Sequence, residues 1–220
     1  MAYRRASEGA ESVVDSAVSQ IRQRIRSGDY VPGQRLVAAE ISVELEASVS
    51  AVREALTRLA GEGLIDIQPH RGAVVRTQTR EDIIEIFEMR EMIEGLAARL
   101  AARAVATGAG KADALLQAAA RCHTLADEAD FFEYGRANEA FHQAIYDLAG
   151  KPRVSSLAIQ LSVQIDRLNS RRLARVSVLQ QSSVEHDDIA TAIAAGNEAA
   201  AEHAMRHHVA TSMKKVVGDA

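Results

Sequence analysis

Between residues 48 and 77 a helix-like stretch runs directly into two short strand-like ones, and few folds use that succession in so little chain. In SVSAVREALTRLAGEGL, residues 48–64, Val52, Ala55, Leu56 and Leu59 recur at three- and four-residue spacing, which places them on one helical face. Ser48 precedes them as an N-cap, and Gly61 and Gly63 end the pattern. Residues 64–68 (LIDIQ) then alternate as a strand does, PHRG at 69–72 makes a turn, and 73–77 (AVVRT) return. Two further helical stretches lie upstream. One covers about 11–27, with Val14, Val18, Ile21 and Ile25 on one face; the other covers about 38–45, after a VPGQ turn at 31–34. Three helices followed by a β-hairpin predict a winged helix-turn-helix over residues 1–78.

From residue 79 onward only helical patterns occur, at about 80–105, 111–129, 131–149, 152–175, 180–195 and 197–217. The breaks fall at Gly108 with Gly110, Gly150 with Pro152, and Gly196 with Asn197. The expectation is a mainly α chain whose second domain, 79–220, is a bundle of about six helices. The scarcity of helix breakers and aromatics (3 Pro, 13 Gly, 4% aromatic) agrees with it.

The single Cys122 excludes an intrachain disulfide, and the N-terminal stretch has no apolar core of signal-peptide length. Nor does any apolar run reach the roughly 18 to 20 residues that span a bilayer. A cytoplasmic protein with no membrane partner is expected. The net charge of −4 argues against a surface coated with nucleic-acid-binding groups. Residues 1–77 carry 10 Arg against 10 Asp plus Glu and no Lys, so DNA affinity must come from a few placed arginines.

In a helix-turn-helix the second helix enters the major groove, with polar residues at its start and apolar residues behind. Ser48, Ser50, Arg53 and Thr57 fall on the exposed side of the 48–61 helix. Arg53 can reach a guanine edge or a phosphate; Arg58 is either a phosphate contact or simply solvated. At the wing tip, His70, Arg71 and Gly72 put a basic side chain beside a residue that lets the backbone approach the sugar-phosphate rail or minor groove.

The second domain carries polar residues on faces expected to be buried. Asn138 and His142 share a helical face, His186 heads a stripe with Ile189 and Ile193, and His208 follows Met205 by three and Ala201 by seven. Three histidines and an oxygen donor from three helices suit a divalent transition metal such as zinc or nickel, with positions left for water or a carboxylate. His203 and His207, also four apart, are a rival pair whose neighbours leave their burial open. Arg90 shares a face with Ile83 and Ile86 and stands four before Glu94, its natural ion-pair partner by spacing.

Catalysis finds little support. There is no HExxH pair, GxSxG elbow, phosphate-cradling glycine loop or dinucleotide fingerprint, and Cys122 reads as a small core residue. A metal-dependent enzyme and a ligand-independent DNA-binding protein are the alternatives, and inward polar residues argue against the second.

VREALTRLAGEGLIDIQPHRGAVV at 52–75, with the preceding YVPGQRLVAAEISVEL, resembles the DNA-binding domain of the GntR family of bacterial regulators. NEAFHQAIYDLAGKPRV at 138–154 and EHDDIATAIAAGNEAAAEHAMRHHV at 185–209 resemble the FCD domain of its FadR subfamily. The resemblance implies a homodimeric regulator, usually a repressor, on double-stranded operator DNA, responding to a small carboxylate-bearing effector. It selects His208 over the adjacent His207 and assigns Arg90 to the effector's carboxylate. It also marks departures: Val49 where Arg is common, Ala51 for Pro, Glu46 for Gly, and Asn138 for a metal-binding Asp. The missing Arg at 49 changes operator contacts, and the neutral Asn138 weakens a metal site.

Overall fold

The computed structural model describes residues 12–68, 72–172 and 175–218, with the backbone alone for 166–172. The chain divides into two compact units, 1–77 and 78–220.

In the first unit, α1 (Val13–Ser27) is capped by Ser12, whose hydroxyl accepts from the Asp15 amide, and closes at Gly28 with φ +88°. Its buried Ala17, Val18, Ile21 and Ile25 face α3 (Val49–Gly61), which buries Ala51, Val52, Ala55, Leu56 and Leu59. Burying one such Leu or Ile side chain is worth roughly 1.5–3 kcal/mol, so this shared stripe is what holds α3 to its unit. Ser48 caps α3 by accepting from the Ala51 amide at 3.2 Å.

The hairpin expected from the sequence forms as β2 (Ile65–Gln68) and β3 (Gly72–Val75), paired antiparallel with Ile65 opposite Val75. A third strand, β1 (Arg35–Leu36), pairs with β3, giving the order β1-β3-β2. Two residues are too few to show alternation, so β1 left no periodic signal. The wing-tip residues His70 and Arg71 lie outside the described residues; Gly72 opens β3 with φ +76°.

Between α2 (Ala38–Glu44) and α3 the chain turns through Glu46 at φ +52°. That is the left-handed region, where an L side chain meets its own carbonyl and glycine does not. This explains why a glycine suits the position and what the glutamate costs.

The second unit holds α4 (Arg80–Ala106), α5 (Asp113–Asp127), α6 (Phe131–Ala149), α7 (Pro152–Arg172), α8 (Val176–Ala194) and α9 (Glu198–Val217). Thr79 and Asp82 form a capping box at the start of α4. Small residues on α4 (Ala97, Ala98, Ala101, Ala102) let α9 lie close, with Ala201 and Met205 fully buried. At Gly95 the approach is closest: a Cβ there would stand 2.7 Å from Arg206 Cγ. Arg206 crosses that gap to pair with Glu91 at 2.8 Å. Phe87, Leu115, Leu125, Phe141, Ile145, Ile189 and Ile193 fill the rest of the core.

Gly196, at φ +67°, links α8 to α9, and a Cβ would fall 2.8 Å from Ala106 Cβ and 3.1 Å from its Cα. Gly196→Ala is therefore expected to destabilise the protein by about 2 kcal/mol or more, since strain and overlap add. Glu46→Gly is expected to stabilise by about 0.5–1 kcal/mol, because relief of the left-handed strain exceeds the added chain entropy. Denaturant unfolding measures both, and a reversed sign in either would overturn the corresponding backbone argument.

Candidate functional site

On α3, Ser48, Ser50, Arg53, Thr57 and Arg58 are all exposed, and the apolar stripe behind them is buried. Ser48 and Ser50 touch through their hydroxyls at 3.0 Å, and Thr57 donates back to the Arg53 carbonyl at 2.9 Å. Arg53 has no ion-pair partner among the described residues, which leaves its guanidinium available at the surface. Arg58 differs: it pairs with Asp15 and with Glu54, each at 2.7 Å. Exposed pairs of this kind are worth about 0–1 kcal/mol, so they position Arg58 without barring a phosphate from it.

The second unit brings three histidines together in its core. His142 of α6, His186 of α8 and His208 of α9 are all buried, and one ring nitrogen from each lies within 4.8 Å of the others. Phe141 stacks on His186 with ring centres 4.2 Å apart, and Tyr134 lies beyond it at 6.5 Å. His186 is 0% exposed, and neither of its ring nitrogens has a hydrogen-bond partner among the described residues. Burial first, then His208, His142 and Lys215, hold it well below the usual histidine range. His208 is lowered too, by burial above all, with Glu185 working against the shift.

Two buried carboxylates flank the group. Glu94 Oε1 accepts from Arg90 Nε at 2.6 Å, so the spacing-based partnership holds; the Arg90 guanidinium also lies 5.2 Å over the Phe87 ring. Glu94 Oε2 lies 3.0 Å from His142 Nδ1, close but not aligned as a hydrogen bond. Burial works to raise the Glu94 carboxyl, yet Arg90 and then His142 outweigh it and bring it down to about 2. On the other side, His208 Nδ1 donates to Glu185 Oε2 at 2.8 Å. Gln181 donates to Glu185 Oε1 at 3.1 Å, and Lys215 Nζ stands 4.0 Å from that oxygen.

Asn138 is half-buried one helical turn before His142. His203 and His207 are exposed, beside a surface groove of about 500 Å³ lined also by Glu91, Glu202 and Arg206, and they take no part in the buried group. Cys122 is buried in the core, and burial together with Asp187 pushes its thiol up to about 12, which removes it as a nucleophile. Sequence reasoning missed Glu185 and Lys215. Glu185 adjoins His186, and Lys215 stands seven after His208 on the same face, a signal that periodicity alone leaves ambiguous.

The donor set fits a transition metal. Imidazole nitrogens bind zinc at about 2.0–2.1 Å, and tetrahedral bonds of that length put ligand atoms roughly 3.3 Å apart. The ring nitrogens lie within 4.8 Å of one another, up to about 1.5 Å wider than that spacing. The grouping itself contains no carboxylate.

Comparison with known proteins covers both units. The model of the FCD domain matches residues 85–211, and that of bacterial regulatory proteins of the gntR family matches 14–75. The chain is 32% identical over 139 residues to an HTH-type transcriptional regulator, itself uncharacterized, from the TAR-I ttuE-ttuC' intergenic region of Agrobacterium vitis; the match covers 63% of this chain and 81% of the relative. It is 26% identical to the HTH-type transcriptional repressor GlaR of Escherichia coli K12, over 87% of this chain and 90% of that one. Among solved structures, a candidate GntR transcriptional regulator of Rhodococcus sp. RHA1 superposes with TM-score 0.76 at 24% identity, covering 94% of this chain and 98% of its own. Escherichia coli McbR/YncC gives 0.75 at 19%, covering 91% and 94%. These likenesses confirm the fold.

The depressed histidines make a pH prediction for protein stripped of metal. With folded values below the usual 6.5, protons favour the unfolded chain, so the stability is whole above about pH 6.5 and lost as pH falls toward the folded values. Glu94, already down at about 2, contributes no change in that window. The thermal midpoint is expected to fall between pH 7 and 5, and His186→Phe is expected to flatten the slope. An equal slope in wild type and variant would remove His186 from this account.

Proposed function

The chain belongs to the GntR family of bacterial regulatory proteins and carries an FCD domain, which makes it a DNA-binding transcriptional regulator; from that premise we propose how its two units work. The regulator acts as a homodimeric repressor. Each α3 enters the major groove of one operator half-site, Ser48, Ser50, Arg53 and Thr57 face the DNA, and Arg58 and the wing residues His70, Arg71 and Gly72 meet the backbone. The second unit binds a small carboxylate-bearing effector, and occupancy changes the arrangement of the two winged units and hence operator affinity by linkage.

A single observation carries the sensing half of this reading: His186 lies fully buried beside two other histidines, with neither nitrogen hydrogen-bonded among the described residues. Burying a polar ring without partners costs on the order of 1–3 kcal/mol, and a ligand that supplies the missing bond recovers it. His142, His186 and His208 would hold a divalent metal, with Asn138 as a neutral oxygen donor nearby. When bound, the metal would supply Lewis-acid attraction for the effector's carboxylate. Arg90 holds Glu94 in place and adds positive charge at the same end of the site. Operator contacts at the start of α3 differ from the family pattern, because Val49 offers no charge.

Two measurements test the reading. On duplex DNA selected from a random pool, Arg53→Ala is expected to weaken specific binding about tenfold or more, as loss of a base or phosphate contact does. Unchanged affinity across salt concentrations would remove Arg53 from the interface. Elemental analysis of untagged protein is expected to find metal that is lost in His142→Ala; metal kept there but lost in His203→Ala would move the site to the surface groove. A melting-temperature screen of small carboxylates, run with and without added zinc, identifies the effector class, since a ligand of the native state raises the midpoint.

A further inference from the structure

Of the three clustered histidines, His208 has the best-built surroundings. Its Nδ1 meets Glu185 at 2.8 Å, and Glu185 is itself fixed at its other oxygen by Gln181 at 3.1 Å and faced by Lys215 at 4.0 Å. Glu185 and His208 are both buried, so water does not compete for the contact. A carboxylate only accepts, so a neutral His208 must carry its proton on Nδ1 to satisfy Glu185. The lone pair is then left on Nε2. At His142 a carboxylate is near but not engaged: Glu94 takes Arg90 on one oxygen and stands 3.0 Å from Nδ1 with the other, without the alignment of a hydrogen bond. His186 has no such partner among the described residues.

We propose that Glu185, braced by Gln181 and Lys215, is a positioning residue that locks His208 in the Nδ1-protonated tautomer and so presents Nε2 as the ligand-binding atom. The pattern sorts the rings by role. His208 arrives with tautomer and orientation set, whereas His186 is free to bind through whichever nitrogen the ligand meets. The carboxylate also raises the basicity of the ring it holds, which strengthens a bond from Nε2 to a cation. The inference rests on the reading of the cluster as a ligand site, but its first test requires no ligand.

Full-length protein labelled with ¹⁵N-histidine and freed of metal by a chelator is examined by long-range ¹H–¹⁵N NMR at pH 7.5, where the nitrogen shifts report the tautomer directly. His208 is expected in the Nδ1–H form in the wild type. Glu185→Ala is expected to convert it to a mixture or to the Nε2–H form, and Glu185→Gln, whose amide oxygen can still accept, to restore it in part. An Nε2–H form in the wild type overturns the proposal whether or not any variant folds, as does a tautomer unmoved in folded Glu185→Ala. Zinc affinity, read by competition with a chromophoric chelator, is expected to fall about 10- to 100-fold in Glu185→Ala and to recover partly in Glu185→Gln. Equal zinc affinity in wild type and Glu185→Ala would also overturn it. If neither wild type nor His142→Ala binds zinc, the metal reading of the site fails while the tautomer result still decides the role of Glu185.

Discussion

A helical bundle pays for every polar group that it draws into its core, and among the described residues the second unit draws in seven: Arg90, Glu94, His142, Ser183, Glu185, His186 and His208. Most of them are compensated within the fold. Arg90 meets Glu94, Glu94 faces His142, and His208 meets Glu185, which Gln181 and Lys215 also engage. The chain of partners stops at His186, whose two nitrogens face none among the described residues. His186 is the ring with neither nitrogen engaged among the described residues, with Phe141 stacked against it and α6, α8 and α9 converging around it. A protein selected only for stability would place an apolar side chain there.

The first unit obeys the opposite economy. Its buried residues are apolar, and its polar residues lie on the outside of α3, where solvent satisfies them until DNA does. Arg58 shows how the two demands meet on one helix. Asp15 and Glu54 hold it in a defined position at little energetic expense, whereas Arg53, one turn earlier, has no such restraint among the described residues. Only three charged side chains therefore lie along the exposed face of α3, and two of them, Glu54 and Arg58, are engaged with each other.

Much of this was legible in the sequence because it rests on periodicity. The stripe Val52, Ala55, Leu56 and Leu59 fixed which side of α3 is buried, and the spacing of His186 with Ile189 and Ile193 pointed that ring inward. Glycines at 108, 150 and 196 marked the ends of helices where the backbone does take positive φ. What escaped was whatever depends on the approach of distant segments. The strand β1 exists because β3 reaches it, Asp15 pairs with Arg58 across 43 residues, and Glu185 finds His208 across 23. No local pattern records such meetings. A glutamate beside an inward histidine would ordinarily be assigned to the surface, and only the packing of α9 against α8 brings it to a buried ring.

The bare position at Gly95 has a bearing on all of this. Because nothing projects there, Arg206 lies across α4 and pairs with Glu91. His208 is two residues beyond Arg206, so that contact lies within one helical turn of the buried ring. Gly95 thus leaves the room in which a side chain of α9 is tied to α4 within one turn of a cluster histidine.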